Sequence, residues 1–230
     1  MKTITECGLR IAEWGRCRAA VFTLLLALTL HANAEPNLVP NGDFRAAEPL
    51  QSWRIDFPYA APYVKNKDYI SVTSENAPQG GKCVRIALPP GVAGNEGGKI
   101  ESAFIPAEPG ATYRVEIDSM TWDFSGKTLV EAWIADPKPI PQPDKFRVPA
   151  SADHPALLTV YRAQVPDPKS KSKTWETVGR EFTLPKTCRV GGKDVAPEYL
   201  TLKAYTFQGT PNGGKSYFTN FRLYKIKSAE

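Results

Sequence analysis

Histidine is almost missing from this chain of 230 residues; His31 and His154 are the two. No Cys-x-x-Cys pair accompanies them, so an ordinary zinc centre, built from three or four His and Cys ligands, is excluded. A glycine-rich strand-to-helix phosphate loop is missing as well. Beyond one short run near the N-terminus, no apolar stretch approaches the roughly 20 residues of a membrane-spanning helix. Charge of one sign is not in excess: 29 basic and 24 acidic residues leave a net charge of +5, too mild to point to nucleic acid. Uninterrupted helical stretches are the last absence. With 21 prolines and 17 glycines, breaks come too often for a helical bundle. Proline removes a backbone donor, and glycine adds to the entropy lost in a helix.

What is present begins with a leader. Lys2, Arg10, Arg16 and Arg18 precede the apolar run Ala19–Leu30, and Ala32-Asn33-Ala34 supplies small residues for cleavage. The pattern reads as a signal peptide over 1–34, followed by a single domain over 35–230 that is secreted or periplasmic and free of the membrane once cleaved. The remaining 196 residues carry a net charge of +3. Cys7 and Cys17 belong to the leader, which leaves Cys83 and Cys188 in a compartment that permits disulfides. A Cys83–Cys188 bridge is expected, with two separate thiols as the alternative. It would close a loop of about 105 residues, worth about 4–5 kcal/mol in the chain-entropy model.

Period-two alternation recurs along the mature chain, each run closed by turn residues. The runs are Tyr69–Glu75, Lys82–Leu88, Lys99–Ile105, Ala111–Met120, Lys127–Ala135, Ala156–Gln164, Thr174–Leu184, Tyr199–Phe207 and Ser216–Lys227. About ten strands without a 3.6-residue period predict an all-β antiparallel β-sandwich. Alternation also assigns faces. Tyr113, Val115 and Ile117 read as core, as do Val130, Ala132 and Ile134, and Leu200, Leu202 and Ala204. Two stretches interrupt the rhythm. Asp136–Ala150 is an extended proline-rich arm, and Pro166–Lys173 is a basic, solvated loop.

The segment Asn37-Leu38-Val39-Pro40-Asn41-Gly42-Asp43-Phe44, followed by Trp53, resembles the start of carbohydrate-binding modules of the type appended to cellulases and xylanases. Pro109-Gly110-Ala111-Thr112-Tyr113, Trp175 with Phe182, and Tyr217–Tyr224 resemble later motifs of the same family, in order. The resemblance implies a galactose-binding-like jelly roll, with Trp53 and Trp175 as packing positions. It also implies a polysaccharide or oligosaccharide partner and, in many members, a structural calcium. Asp43 and Asn220 fall at the calcium positions. Arg45 and Thr219 replace residues that are commonly acidic there, which thins the set of ligands.

Sugar recognition combines an aromatic face against the C–H surface of a pyranose with directional hydrogen bonds to its hydroxyls. Trp122, Trp133 and Tyr205 are the candidate platforms; Glu131, Arg114 and Lys203, with Glu116, are the candidate polar partners. The leading expectation is an exported, non-catalytic carbohydrate-binding protein. One alternative is a glycan-cleaving enzyme. If Ala111–Met120 and Lys127–Ala135 formed a hairpin in core-matching register, Glu116 would face Glu131, and paired carboxylates suit glycoside hydrolysis. Another alternative is a structural or adhesive surface protein without a sugar site. Ser151, Asp153 and His154 hold triad residue types, but their adjacency in one loop prevents triad geometry.

Overall fold

Strands form almost wherever apolar and polar residues alternate. A computed structural model describes residues 35–55, 68–90, 98–122, 124–138, 147–166, 173–209 and 212–229. The chain divides into two compact units, 1–36 and 37–230. Of the first, only Glu35 and Pro36 are described, so the signal peptide lies outside the described residues.

The second unit is built from two sheets, with strands numbered in chain order. Sheet A runs β1 (Trp53–Arg54), β4 (Lys99–Ser102), β13 (Tyr199–Gly209), β7 (Phe124–Ala135), β9 (Leu157–Val165) and β8 (Arg147–Val148), with β5 (Ile105–Pro106) joined to β13. Sheet B runs β10 (Glu176–Thr183), β6 (Thr112–Trp122), β14 (Gly214–Lys227), β3 (Cys83–Leu88) and β2 (Ile70–Thr73). A separate hairpin pairs β11 (Cys188–Val190) with β12 (Lys193–Val195). Pairing is antiparallel in both sheets. The steps β3 to β4, β6 to β7, β9 to β10 and β13 to β14 each carry the chain from one sheet to the other. That is the winding of a jelly-roll sandwich.

The core fills the space between the sheets. Tyr113, Val115 and Ile117 of β6 and Val84, Ile86 and Leu88 of β3 meet Val130 and Ala132 of β7 and Leu200, Leu202 and Ala204 of β13. These include the sets that alternation assigns to the core, except that Ile134, although buried, lies outside this cluster. At one end, Phe44, Trp53 and Phe221 pack as an aromatic trio, with centroids 5.1 Å (Phe44–Trp53) and 4.6 Å (Trp53–Phe221) apart. The Asn41–Phe44 segment makes that packing possible. Asn41 is left-handed, its Nδ2 donates to the carbonyls of Pro49 and Gln51, and its own carbonyl accepts from Trp53 Nε1 at 3.0 Å. Gly42 passes so close to β14 that a Cβ there would stand 2.2 Å from the Phe221 carbonyl oxygen.

Two sequence expectations are corrected here. β6 and β7 lie in different sheets, so they form no hairpin pair. Glu116 faces Gly179 and Arg222 across its neighbours, and Glu131 faces Thr201 and Arg162. The expected Cys83–Cys188 disulfide is not formed, and both cysteines are free. Cys83 is buried on β3 of sheet B with its Sγ directed at the carbonyls of Thr73 and Glu75, while Cys188 sits on the β11–β12 hairpin, which lies against β9 of sheet A. Finally, the mid-sections of the two predicted loops, 139–146 and 167–172, lie outside the described residues.

Candidate functional site: two outer sheet faces

The residues expected to share one aromatic–carboxylate face are divided between the two outer faces of the sandwich. Core-facing Val130 and Ala132 send Glu131 and Trp133 outward from sheet A. Core-facing Val115 and Ile117 send Arg114, Glu116 and Asp118 outward from sheet B. About 10 Å of packed sheet separates the two layers. Glu116 and Glu131 therefore cannot act on one glycosidic bond, which requires carboxyls within about 5–9.5 Å on a shared substrate.

The sheet A face is charged yet shielded. Glu101, Glu131, Thr201, Lys203 and Trp133 are all buried. Glu131 pairs with Lys203 Nζ and also accepts from Arg162 Nε at 2.8 Å. Lys203 lies 3.2 Å from Glu101, which also pairs with Arg54 at 3.0 Å. Trp133 Nε1 donates to Thr201 Oγ1 at 2.9 Å, and that hydroxyl donates to Glu101 at 2.8 Å. Burial pushes the Glu101 carboxyl up, but Lys203, Arg54 and Lys99 outweigh it and hold the group below the usual carboxylate range. Burial presses the Lys99 ammonium down to about 8.

Trp133, the expected sugar platform, is sealed at 0% exposure beneath Phe104, Val148 and Leu157. Phe104 meets it edge-on at 5.7 Å, and Lys203 Nζ sits 4.9 Å above its ring. Val148 comes from the far end of the proline-rich arm, whose described ends are tied by Arg147 to Asp136 at 3.1 Å. Tyr205 is half-buried at the margin of this face.

The sheet B face has two zones. Around its middle, Arg222 bridges Glu116 at 3.2 Å and Asp118 at 2.8 Å, while Asn220 Nδ2 and Thr177 Oγ1 each donate to Asp118 at 2.7 Å. Arg114 pairs with Glu116 at 3.4 Å and covers the Tyr224 ring. This ladder is largely satisfied by its own members. Next to it, Gly179 leaves a notch beside Glu116; a Cβ there would meet the Val115 carbonyl at 2.5 Å. The notch belongs to a shallow hollow of about 260 Å³ lined by Arg114, Glu116 and Thr177.

The other zone is aromatic. Trp122 of β6 stands opposite Lys215 of β14, and Tyr217 stands between Met120 and Arg85. Continuing the β6–β10 register by one pair sets Trp175 opposite Met120. Cys83, Met120 and Tyr217 form a buried base on which Trp122 and Trp175 lie half-exposed. Trp175 is thus a surface residue here, not the core-packing position implied by the family resemblance; its Nε1 donates to the Asn76 carbonyl at 2.7 Å. Trp122 Nε1 has no hydrogen-bond partner among the described residues. Polar groups surround the rings. Glu75 accepts from Arg85 at 2.8 Å and from the Tyr217 hydroxyl at 3.2 Å, and Asn76 Nδ2 also reaches that hydroxyl. The Tyr217 hydrogen bond, with Lys215 and Arg85, holds the Glu75 carboxyl below the usual range.

Asp43 and Asn220 do line one hollow, together with Asn37, Asn41 and Arg222. The donors do not fit calcium, which takes six to eight oxygens, several from carboxylates. The Asn37 and Asn41 amide oxygens already accept backbone N–H groups, and the Asn220 amide is turned to Asp118. Asp43 is left as the one carboxylate of the lining, and it already faces Arg45 at 3.8 Å.

No protein-family model matches the chain, and no curated protein matches its sequence. Solved structures similar to it include a family 16 carbohydrate-binding module at 15% identity, with a TM-score of 0.47, covering 81% of this chain and 99% of that one. Another is TmCBM61 in complex with β-1,4-galactotriose, at 14% identity and TM-score 0.44, covering 83% and 99%. The CBM22-1 xylan-binding domain of Paenibacillus barcinonensis Xyn10C is similar at 11% identity and TM-score 0.44, covering 86% and 99%. The likeness is one of jelly-roll fold.

Proposed function

We propose that this is an exported, non-catalytic carbohydrate-binding protein that holds a polysaccharide or oligosaccharide against the Trp122–Trp175 end of sheet B. The observation that carries the reading is the pair of half-exposed indoles on a buried Tyr217–Met120 base. Such a surface offers π faces to the C–H side of a sugar ring, while Asn76, Glu75 and Arg85 supply donors and acceptors for its hydroxyls. Separation of Glu116 and Glu131 onto opposite faces removes the carboxylate pair that motivated the enzyme alternative. Retardation in gels containing a panel of polysaccharides tests the proposal. Trp122→Ala is expected to weaken retention by roughly 30-fold, the scale of a 2 kcal/mol hot spot. Retention unchanged by Trp122→Ala and Trp175→Ala removes this site; no retention of the wild-type protein on any glycan removes the function.

A second reading is favoured by the charged composition of the shielded sheet A face. Buried charge departs from what stability alone selects and so marks candidate sites. Here the ligand would reach Glu131 and Lys203 past Arg162, whose side chain is 47% exposed, and past Tyr205. Loss of retention in Arg162→Ala but not in Trp122→Ala selects this reading.

A further inference from the structure

Resting on the sheet B reading, we infer that the glycan held there is acidic, a polysaccharide bearing uronic acid carboxylates. Two ammonium groups converge on a single indole: Lys173 Nζ lies 5.6 Å and Lys215 Nζ 5.7 Å from the centre of the Trp122 ring. A sugar stacked on that ring carries its exocyclic substituents outward toward its rim. Both amines are then within reach of a carboxylate at the C-6 position.

The charge balance of the zone agrees. Lys173, Lys215 and Arg85 are cationic, and among the described residues Glu75 is the one carboxylate that pairs with any of them, reaching Arg85 and Lys215. Glu75 is already engaged by Arg85 at 2.8 Å and by the Tyr217 hydroxyl, with Lys215 farther off at 3.8 Å. Among the described residues, three cations against one anion leave an excess of two positive charges around an aromatic platform. A folded protein has no structural need for that excess at a half-exposed tryptophan, because like charges held close repel. The neighbouring ladder on the same face shows the contrast: there Arg222 is matched by Glu116 and Asp118. Cations left short of partners on one part of a face, and matched on the next, complement a ligand that brings negative charge to the first.

Arg85 fits the same picture in a supporting role. Its guanidinium holds Glu75, so Glu75 does not draw Lys215 fully away from Trp122. A neutral glycan could stack on Trp122 without using either lysine. An acidic one uses both, and gains directional charge-assisted bonds that are roughly twice as strong as neutral ones.

The test compares charged and neutral forms of one backbone by titration calorimetry of the protein. Polygalacturonate is set against its methyl ester, and glucuronoxylan against its carboxyl-reduced form. At least one acidic polymer is expected to bind about tenfold or more tightly than its neutral form, a difference of about 1.4 kcal/mol. The preference should shrink as NaCl rises from about 0.05 to about 0.5 M, as screening predicts. Lys173→Gln/Lys215→Gln should lose the preference while keeping the affinity for the neutral form. Equal affinity for acidic and neutral forms overturns the inference and leaves the sheet B reading in place. Acid preference that survives the double lysine substitution also overturns it. Tighter binding of a sulfated glycan than of either uronate polymer overturns the assignment of the carboxylate. If the wild-type protein binds none of these polymers or the wider neutral panel, the sheet B reading itself fails.

Discussion

Replacing Lys203 by methionine tests whether the sheet A face is the closed, mutually compensated cluster described above. The lysine side chain is 4% exposed and stands between two carboxylates, Glu131 and Glu101, that are 2% and 0% exposed. Methionine keeps most of the aliphatic stem and removes the ammonium, along with its place 4.9 Å above the Trp133 ring, so the change tests the charge. Glu131 retains Arg162 and Glu101 retains Arg54, but each loses its most deeply buried cation. Removing one partner from a buried ionic group costs about 3–5 kcal/mol, because the remaining charge stays out of water. With an m-value of about 2 kcal/mol/M, the urea midpoint should fall by roughly 1.5–2.5 M. Adding Glu131→Gln should restore part of that loss, with a coupling of about 0.5–3 kcal/mol in the double-mutant cycle. A midpoint shift below about 0.5 M, with no coupling, refutes the reasoning. It would mean that water reaches this face and that Trp133 is more accessible than its packing indicates.

Other expectations follow from single sites. In Gly42→Ala the new Cβ meets the Phe221 carbonyl at 2.2 Å, and backbone cannot yield as a side-chain tip does, so thermal unfolding should reveal a loss of about 1–3 kcal/mol or more. Lys99, with its ammonium pressed down to about 8 by burial, releases its proton in the folded state before the unfolded one does. Stability should therefore rise with pH between about 8 and the ordinary lysine value, and the rise should be smaller in Lys99→Met when urea midpoints are compared across that window. Cys83 should resist alkylation in the native protein, since burial both shields it and pushes its thiol up to about 11. Mass mapping should find half-exposed Cys188 labelled first and Cys83 labelled only on unfolding; a Cys83–Cys188 crosslinked peptide would contradict the free-thiol arrangement. Addition of a calcium chelator should leave the unfolding midpoint unmoved, because the Asp43 hollow offers too few free oxygens.

Much of the sandwich was legible in the sequence because a strand with one buried face writes its period into the chain. Tyr113, Val115 and Ile117, and Leu200, Leu202 and Ala204, read as core and are core. The Asn41-Gly42-Asp43-Phe44 segment was legible as a motif, and its basis is physical: a left-handed Asn41, a glycine pressed on Phe221, and Phe44 inserted between aromatic rings.

Sheet partnership was not legible. Alternation says which residues share a face of one strand, but not which strand lies beside it. The Glu116–Glu131 pair depends on β6 lying beside β7, and their separation into two sheets puts the expected single face on both outer sides. The sealing of Trp133 was also hidden, because it depends on Phe104, Val148 and Leu157, distant in sequence and brought together by the fold. Trp122 was identified as a candidate, yet its partners Trp175 and Tyr217 were not. Trp175 is the next residue in the β10 register opposite Met120, and that pairing is a non-local fact. Composition makes the basic run ending at Lys173 look like a solvated loop, because nothing local shows what it lies against. Its last lysine lies over Trp122.

Hydrogen–deuterium exchange of the protein with and without a glycan that it retains tests the central claim most directly, because the two outer faces lie on different strands. Protection on binding is expected at the Trp122 end of β6 and the Lys215–Tyr217 start of β14, with Glu131–Trp133 of β7 and Thr201–Tyr205 of β13 unchanged. Protection confined to β7 and β13, with none at Trp122, contradicts it.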